Sequence, residues 1–204
     1  RKHQAGAMDF DDLLTIFREL LVKNSSVREL LAERFQYILV DEYQDTNSVQ
    51  AEIVRMLASV HRNVLVVGDD AQSIYSFRAA DIRNILRFPD TFVDAKVFRL
   101  TANYRSSPEI LGVANAIISQ NEEQFPKQLR AINPAHEKPC VIPAASDAQE
   151  AQYVGEHISR AIASGGQPKD IAVLFRAAFH SQPLEMELMR RGIAYEYRGG
   201  MKFF

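Results

Sequence analysis

A chain of 204 residues is long enough for one large domain or two small ones, and its 47% apolar and 25% charged residues are the composition of an ordinary globular protein. No apolar run reaches bilayer length, and the basic start "RKHQAGAMDFDDLL" lacks the uninterrupted apolar stretch of a secretory signal. The formal net charge of −2 excludes a generally basic surface, so a nucleic-acid contact has to be local, and a single cysteine, Cys140, excludes an internal disulfide and fits a reducing, cytoplasmic compartment.

In chain order, "DFDDLLTIFRELLVKN" places Leu13, Leu14, Phe17, Leu20 and Leu21 at helical spacing. A second, short helix is expected from Ser26, which forms an S-x-x-E capping box with Glu29. "FQYILV" reads as a buried strand that ends on the acids Asp41, Glu42 and Asp45. A helix from Ser48 and a second buried strand, "NVLVV", follow. "GDDAQS" is a turn, leading to a short helix towards Leu86, and "AKVFRL" reads as a third strand. After "TANYRSS", Ser107 is the expected helix cap, with Pro108 at the first helical position and Glu109 in the first turn.

Residues 121–139 lose the pattern, hold Pro126, Pro134 and Pro139, and read as a connector. The remainder alternates strand ("CVIPAA"), helix, strand ("IAVLF"), helix, strand ("AYEY"), with Cys140 as a half-buried strand thiol. The helix between the first two is expected to open with Asp147 and Glu150 at capping-box spacing and to bury Ala151, Val154, Ile158, Ala161 and Ile162. Apolar strands alternating with amphipathic helices predict an α/β fold with parallel sheets covered on both faces. Ligands in such folds bind beyond the carboxyl ends of the strands, which is where three polar segments fall.

The first segment is "YILVDEYQDTN". Strand-end carboxylates suit a magnesium–nucleotide site, because a hard cation can be held by one carboxylate and several waters while a neighbouring carboxylate handles the attacking water. A solvated acidic turn fits the same residues. The second is "VVGDDAQSIYSFRAA". Gln72 can hydrogen-bond a terminal phosphate or its attacking water, and Tyr75, Phe77 and Arg78 can stack bases of a single strand; the two aromatics could equally belong to a core. The third is "LTANYRSS", where Arg105 offers a fork for phosphate and Tyr104 a flat face for a nucleobase, or simply an exposed helix entry.

Taken together, "DEYQDTN", "GDDAQSIYSFRAA" and "LTANYRSS" resemble, in order and spacing, motifs II, III and IV of the superfamily 1 DNA helicases of the UvrD/Rep/PcrA type. "MDFDDLL" is similar to the approach to motif II, and the stretch from "IAVLFRAAFHSQPLEMELMRRG" to the end resembles the second motor domain before its large insertion. The resemblance implies two partial RecA-like (P-loop NTPase) motor domains, residues 1–105 and 106–204. It implies a part of an ATP-dependent DNA helicase that couples hydrolysis to translocation along single-stranded DNA, 3′ to 5′, and to duplex unwinding in repair or replication. The implied cofactors are ATP and Mg2+. The implied partners are single-stranded DNA and duplex junctions, with no membrane, together with the helicase domains this chain lacks.

By the same resemblance Asp41 holds Mg2+ through water, with Glu42 beside it, and Glu42 is the general base. Gln72 senses the terminal phosphate, Arg105 acts like an arginine finger, and Tyr104 stacks on adenine. Tyr75, Phe77 and Arg78 face DNA, with Arg176 as a further DNA contact, and Gln44 and Asp45 supply supporting hydrogen bonds. The chain departs from the family pattern at Ala79, where a glycine is usual, and at Ala178 and Gln182, in place of an asparagine and an arginine. It contains no G-x-x-x-x-G-K-[ST] loop and no motifs V and VI, so the isolated chain is expected to be inactive. Two alternatives share these motifs: the motor subunit of a helicase–nuclease complex, and a non-catalytic DNA-binding or interaction module that keeps the fold.

Overall fold

The computed structural model describes residues 6–198, and the chain divides after Pro139 into two compact units. The first opens with α1 (Phe10–Lys23), capped by Asp9 in a reciprocal capping box with Asp12. Leu21 is its fully buried anchor, whereas Leu13 and Leu20 are exposed. Helix α2 (Ser25–Arg34) follows at once, and its cap position is held by Asn24, not by Ser26. Asn24 makes no side-chain cap for α2, because its amide donates back to the Leu20 carbonyl and finishes α1 instead. With no spacer between the helices, the turn chemistry serves the first and leaves none for the second.

Strand β1 (Ile38–Val40) pairs in parallel with β2 (Val64–Val66), Ile38 opposite Val64 and Val40 opposite Val66. Between them runs α3 (Ser48–Leu57), capped by Asn47 and Gln50. Parallel strands require such a crossover. Arg18 of α1 is ion-paired to Glu52 of α3, which fixes α1 across α3. Both strands are shorter than expected and covered on one face only, with Leu39 and Leu65 exposed, so neither is the fully buried strand predicted.

Beyond β2 the chain makes two 3-10 turns, Asp70–Gln72 and Ser76–Arg78, and two short helices, α4 (Arg83–Leu86) and α5 (Phe88–Thr91). The strand expected at 95–100 does not form. A strand exists only where a neighbour supplies a ladder, and here the chain instead pairs further on, β3 (Ala102–Asn103) with β4 (Arg130–Ala131) in parallel. Helix α6 (Pro108–Ile118) lies between them, with Pro108 at its first turn and Glu109 following; Ser107 occupies the cap position but makes no capping hydrogen bond. The segment expected to be a connector, 121–139, therefore carries β4 and closes the first unit.

In the second unit α7 (Asp147–Ala163) packs on α8 (Ser181–Arg190). Ser146, one residue before the expected start, caps α7 through the Gln149 amide, and Gln149 reaches back to the Ala145 N–H. Ala151, Gly155 and Ile158 are its buried face. The predicted strands at "CVIPAA", "IAVLF" and "AYEY" are absent among the described residues, and Cys140 is exposed and outside any strand. The apolar residues are present, and Phe175 stacks on Tyr197, but among the described residues no backbone hydrogen bonds join these segments into a ladder. Among the described residues no helix is long and apolar enough to cross a membrane.

Candidate functional site

The chemistry-bearing turns leave the carboxyl ends of β1 and β2, as the α/β pattern requires. Asp41 and Glu42 follow Val40 directly, and both are exposed. The Asp41 carboxylate accepts the Glu42 N–H at 2.9 Å. Glu42 itself adopts a left-handed backbone, φ 50° and ψ 41°, before the 3-10 turn Tyr43–Asp45. A non-glycine residue in this region is strained by roughly 1–2 kcal/mol, so the surrounding structure has to hold it there.

That structure is visible. Tyr43 is buried, donates its N–H to the Val67 carbonyl, and packs edge-on against Phe88. Thr46 accepts, at its carbonyl, the Asp81 N–H and the Asn84 side-chain amide. Between these anchors Gln44 is almost completely buried. Its amide nitrogen donates to Glu42 Oε2 at 2.7 Å, and its amide oxygen accepts the Asp69 N–H at 3.0 Å. Its backbone carbonyl accepts the Ser73 hydroxyl. Gln44 thus ties the turn after β1 to the turn after β2. Gly68 makes room for it: a Cβ there would lie 2.5 Å from Gln44 Oε1 and 2.8 Å from Ile85 Cδ1.

The turn after β2 carries Asp69, Asp70 and Gln72. Gln72 is exposed and donates to Asp69 Oδ2 at 2.8 Å. Lys127, from the segment before β4, places its ammonium 2.5 Å from both Asp69 Oδ1 and Asp70 Oδ1. Asp70 is buried, and its other oxygen accepts the Phe125 N–H. Burial alone would raise the Asp69 carboxyl, but the hydrogen bonds from Lys127 and Gln72 and the ammonium charge outweigh it and leave the group below its ordinary range. Burial likewise opposes the charge on Lys127, and the two aspartates overcome it and hold the ammonium above its usual pKa.

Three residues on, Tyr75 and Phe77 lie 5.8 Å apart between ring centroids, and the Arg78 guanidinium sits 5.4 Å from one ring and 5.7 Å from the other. All three are exposed. Two flat faces and a cation held together on the surface are what a single strand of bases can stack on. Ala79 follows in the left-handed region, φ 63°, where a glycine would fit without strain.

The hydrogen bonds gather Glu42, Gln44, Asp69 and Gln72 into one network. Arg105 and Tyr104 lie on a separate turn, both exposed, where the Asn103 side chain accepts the Arg105 and Ser106 N–H groups and the Tyr104 carbonyl accepts the Asn133 amide. No hydrogen bond among the described residues joins that turn to the network. Arg176 is an exposed residue of the second unit. Among the described residues no three metal-ligating side chains cluster, and the donor set at Asp41 and Glu42 is the sparse carboxylate arrangement that suits Mg2+ sharing water and phosphate oxygens.

A model of the UvrD/REP helicase N-terminal domain matches residues 1–93, and one of the UvrD-like helicase C-terminal domain matches residues 98–204. The chain belongs to the UvrD/Rep helicase family. It is 41% identical over 198 residues to "ATP-dependent DNA helicase PcrA" of Staphylococcus epidermidis, covering 97% of this chain and 27% of that protein. It is 39% identical to "Probable DNA helicase II homolog" of Rickettsia conorii (98% and 31%) and 38% identical to "DNA helicase II" of Rickettsia typhi (98% and 30%). The chain thus spans about a third or less of the length of the UvrD-type relatives it matches. Gln44 and Lys127 are the two site residues that local pattern undervalued. The first counted only as a supporting hydrogen bond, and the second sits in the proline-rich stretch 121–139, where nothing periodic marks it.

Proposed function

We propose that this chain is a central part of an ATP-dependent DNA helicase that translocates on single-stranded DNA, 3′ to 5′, and unwinds duplexes in cytoplasmic DNA repair or replication. The observation that carries the reading is the network joining Glu42 to Gln72 through Gln44 and Asp69. It puts a carboxylate and a neutral amide on adjacent strand-end loops, directly upstream of an aromatic–arginine platform.

In this reading the site takes ATP and Mg2+, and the metal supplies charge neutralisation on the phosphates when bound. Asp41, with Glu42 beside it, would hold the metal. Glu42, with Oε2 engaged by Gln44, uses Oε1 to take a proton from the attacking water. Gln72 orients that water or the terminal phosphate, Arg105 offsets developing negative charge, and Tyr104 stacks on the base. Tyr75, Phe77 and Arg78 grip DNA, with Arg176 as a further contact. On the same reading residues 1–105 and 106–204 belong to two motor domains, and the isolated 204 residues turn over no ATP, because they contain no phosphate-cradling glycine loop with its lysine.

The test is Glu42→Gln in the full-length protein that contains this segment. The expected result is DNA-stimulated ATP hydrolysis lowered by about 10²-fold or more, with ATP binding retained, since loss of a general base has costs of this order. Turnover at the wild-type rate would overturn the assignment of the base.

A further inference from the structure

We propose that Lys127 is a positioning residue for ATP hydrolysis: its ammonium clamps Asp69 and Asp70 and so fixes the turn that presents Gln72 and braces Glu42. The inference rests on the reading of Glu42 and Gln72 as the hydrolytic pair.

The geometry is specific. Lys127 is only 15% exposed at its side chain and Asp70 only 4%, so this pair is withdrawn from solvent, unlike an ordinary surface ion pair. The ammonium contacts one oxygen of each aspartate, and the other hydrogen bonds of those carboxylates among the described residues are also structural. Asp69 Oδ1 caps the Ala71 N–H, Asp69 Oδ2 accepts from Gln72, and Asp70 Oδ2 accepts the Phe125 N–H. Two adjacent carboxylates left without the cation would repel one another, and Asp70 would be a buried, uncompensated charge. The turn would then relax, and with it the Asp69 N–H that holds Gln44 and the Asp69 oxygen that holds Gln72. A hydrolytic group displaced by an ångström costs up to about 10²-fold in rate, which makes the turn sensitive to a residue that touches no substrate.

The position of Lys127 in the chain adds a consequence. The aspartates lie in the segment matched by the N-terminal domain model, and Lys127 lies in that matched by the C-terminal one. The clamp therefore joins the beginning of the second domain's sequence to the phosphate-sensing turn of the first. A rearrangement of residues 121–131 thus reaches the Gln72 turn through the Lys127 ammonium, with the Phe125 N–H on Asp70 as a weaker second contact.

The experiment is steady-state ATP hydrolysis by the full-length protein containing this segment, with saturating single-stranded DNA, for Lys127→Met, Lys127→Arg and Glu42→Gln. We expect Lys127→Met to lower kcat about tenfold or more while KM for ATP changes less than about threefold, because the lost element acts on the reacting water and not on nucleotide affinity. Lys127→Arg, which keeps the cation, should recover most of the loss. Amide hydrogen exchange adds a second readout: Ala71 to Ser73 should lose protection in Lys127→Met while the amides of α1 and α3 keep theirs. Wild-type kcat in Lys127→Met would overturn the proposal. So would a loss that Lys127→Arg fails to rescue and that comes with unprotected α1 and α3, since that is general unfolding. An unaffected Glu42→Gln would instead overturn the reading of the hydrolytic pair itself.

Discussion

Gly68 shows how narrow the tolerances are at single residues. The amide of Gln44 passes so close to Gly68 that any side chain there must displace it or Ile85. Gly68→Ala should therefore destabilise the first unit by about 1–3 kcal/mol, the usual cost of forcing an extra carbon into a filled space. It should also lower ATP hydrolysis in the full-length protein, because Gln44 is then pushed off Asp69 and Glu42. Denaturant unfolding followed alongside ATPase rate checks both; an Ala variant as stable and active as wild type would show that Gln44 has another resting place. The residues around this site differ in how far they could be read in advance. Asp41 and Glu42 stand directly after one apolar strand and Gln72 in the turn that follows the next, so alternation and a strand-end rule find them. Lys127 reaches its partner across 57 residues, and no local period encodes an ion pair at that separation. Ala79 was legible as a departure, and the structure shows the chain keeping the left-handed turn there at alanine's expense.

Elements were legible where they satisfy themselves and illegible where they depend on neighbours. Helices α1, α3, α6 and α7 carry their own hydrogen bonds, and their apolar spacing announced them. The apolar runs at 95–100 and 171–175 have the composition of strands, yet composition cannot supply the partner backbone that makes one. The α7–α8 pair shows a contact that spacing alone did not reveal. Gly155 lacks the Cβ that would sit 2.9 Å from Arg191 Nε and Glu187 Cγ, so the end of α8 can settle on α7. There Glu187 accepts hydrogen bonds from Arg190 and Arg191, and Arg191 also pairs with Glu156 of α7. The arginines, Arg190 foremost, hold the Glu187 carboxyl down at about 2, against an ordinary 4.5. Its folded-state pKa is lowered, so its contribution is complete above about pH 4.5 and disappears as pH falls towards 2. Protection factors of the α7 amides, taken relative to the intrinsic exchange rate at each pH, should accordingly fall across that interval, and Glu187→Gln should show the lowered protection already at neutral pH and flatten the dependence. A wild-type profile in the Gln variant would remove Glu187 from the contact's energetics.

At the scale of the whole molecule the proposed function raises the question of how hydrolysis is coupled to DNA, and on that reading this chain holds both ends of one connection. Gln72 and the platform of Tyr75, Phe77 and Arg78 are separated by a few residues, with the Asp70–Gln72 turn running into the Ser76–Arg78 turn. The connection is stiff at its upstream end, where Lys127 and Gln44 hold Asp69, and it is exposed at its downstream end. On the proposed reading, a base that stacks on Phe77 and Tyr75 pushes on a segment held upstream at the Asp69–Gln72 turn and downstream where Asp81 and Asn84 hydrogen-bond the Thr46 carbonyl. If this is the coupling route, removing the stacking face should separate two activities that a general defect would lower together. Phe77→Ala in the full-length protein should leave DNA-free ATP hydrolysis within about twofold of wild type. It should weaken DNA stimulation by about 10-fold, since stacking is worth about 1–3 kcal/mol per base. Lost stacking also raises the DNA concentration needed for half-maximal stimulation, so titrating single-stranded DNA against ATPase rate separates weaker grip from weaker coupling. Equal loss of basal and stimulated rates would instead assign Phe77 to the packing of the turn, and the connection between strand grip and hydrolysis would have to run elsewhere.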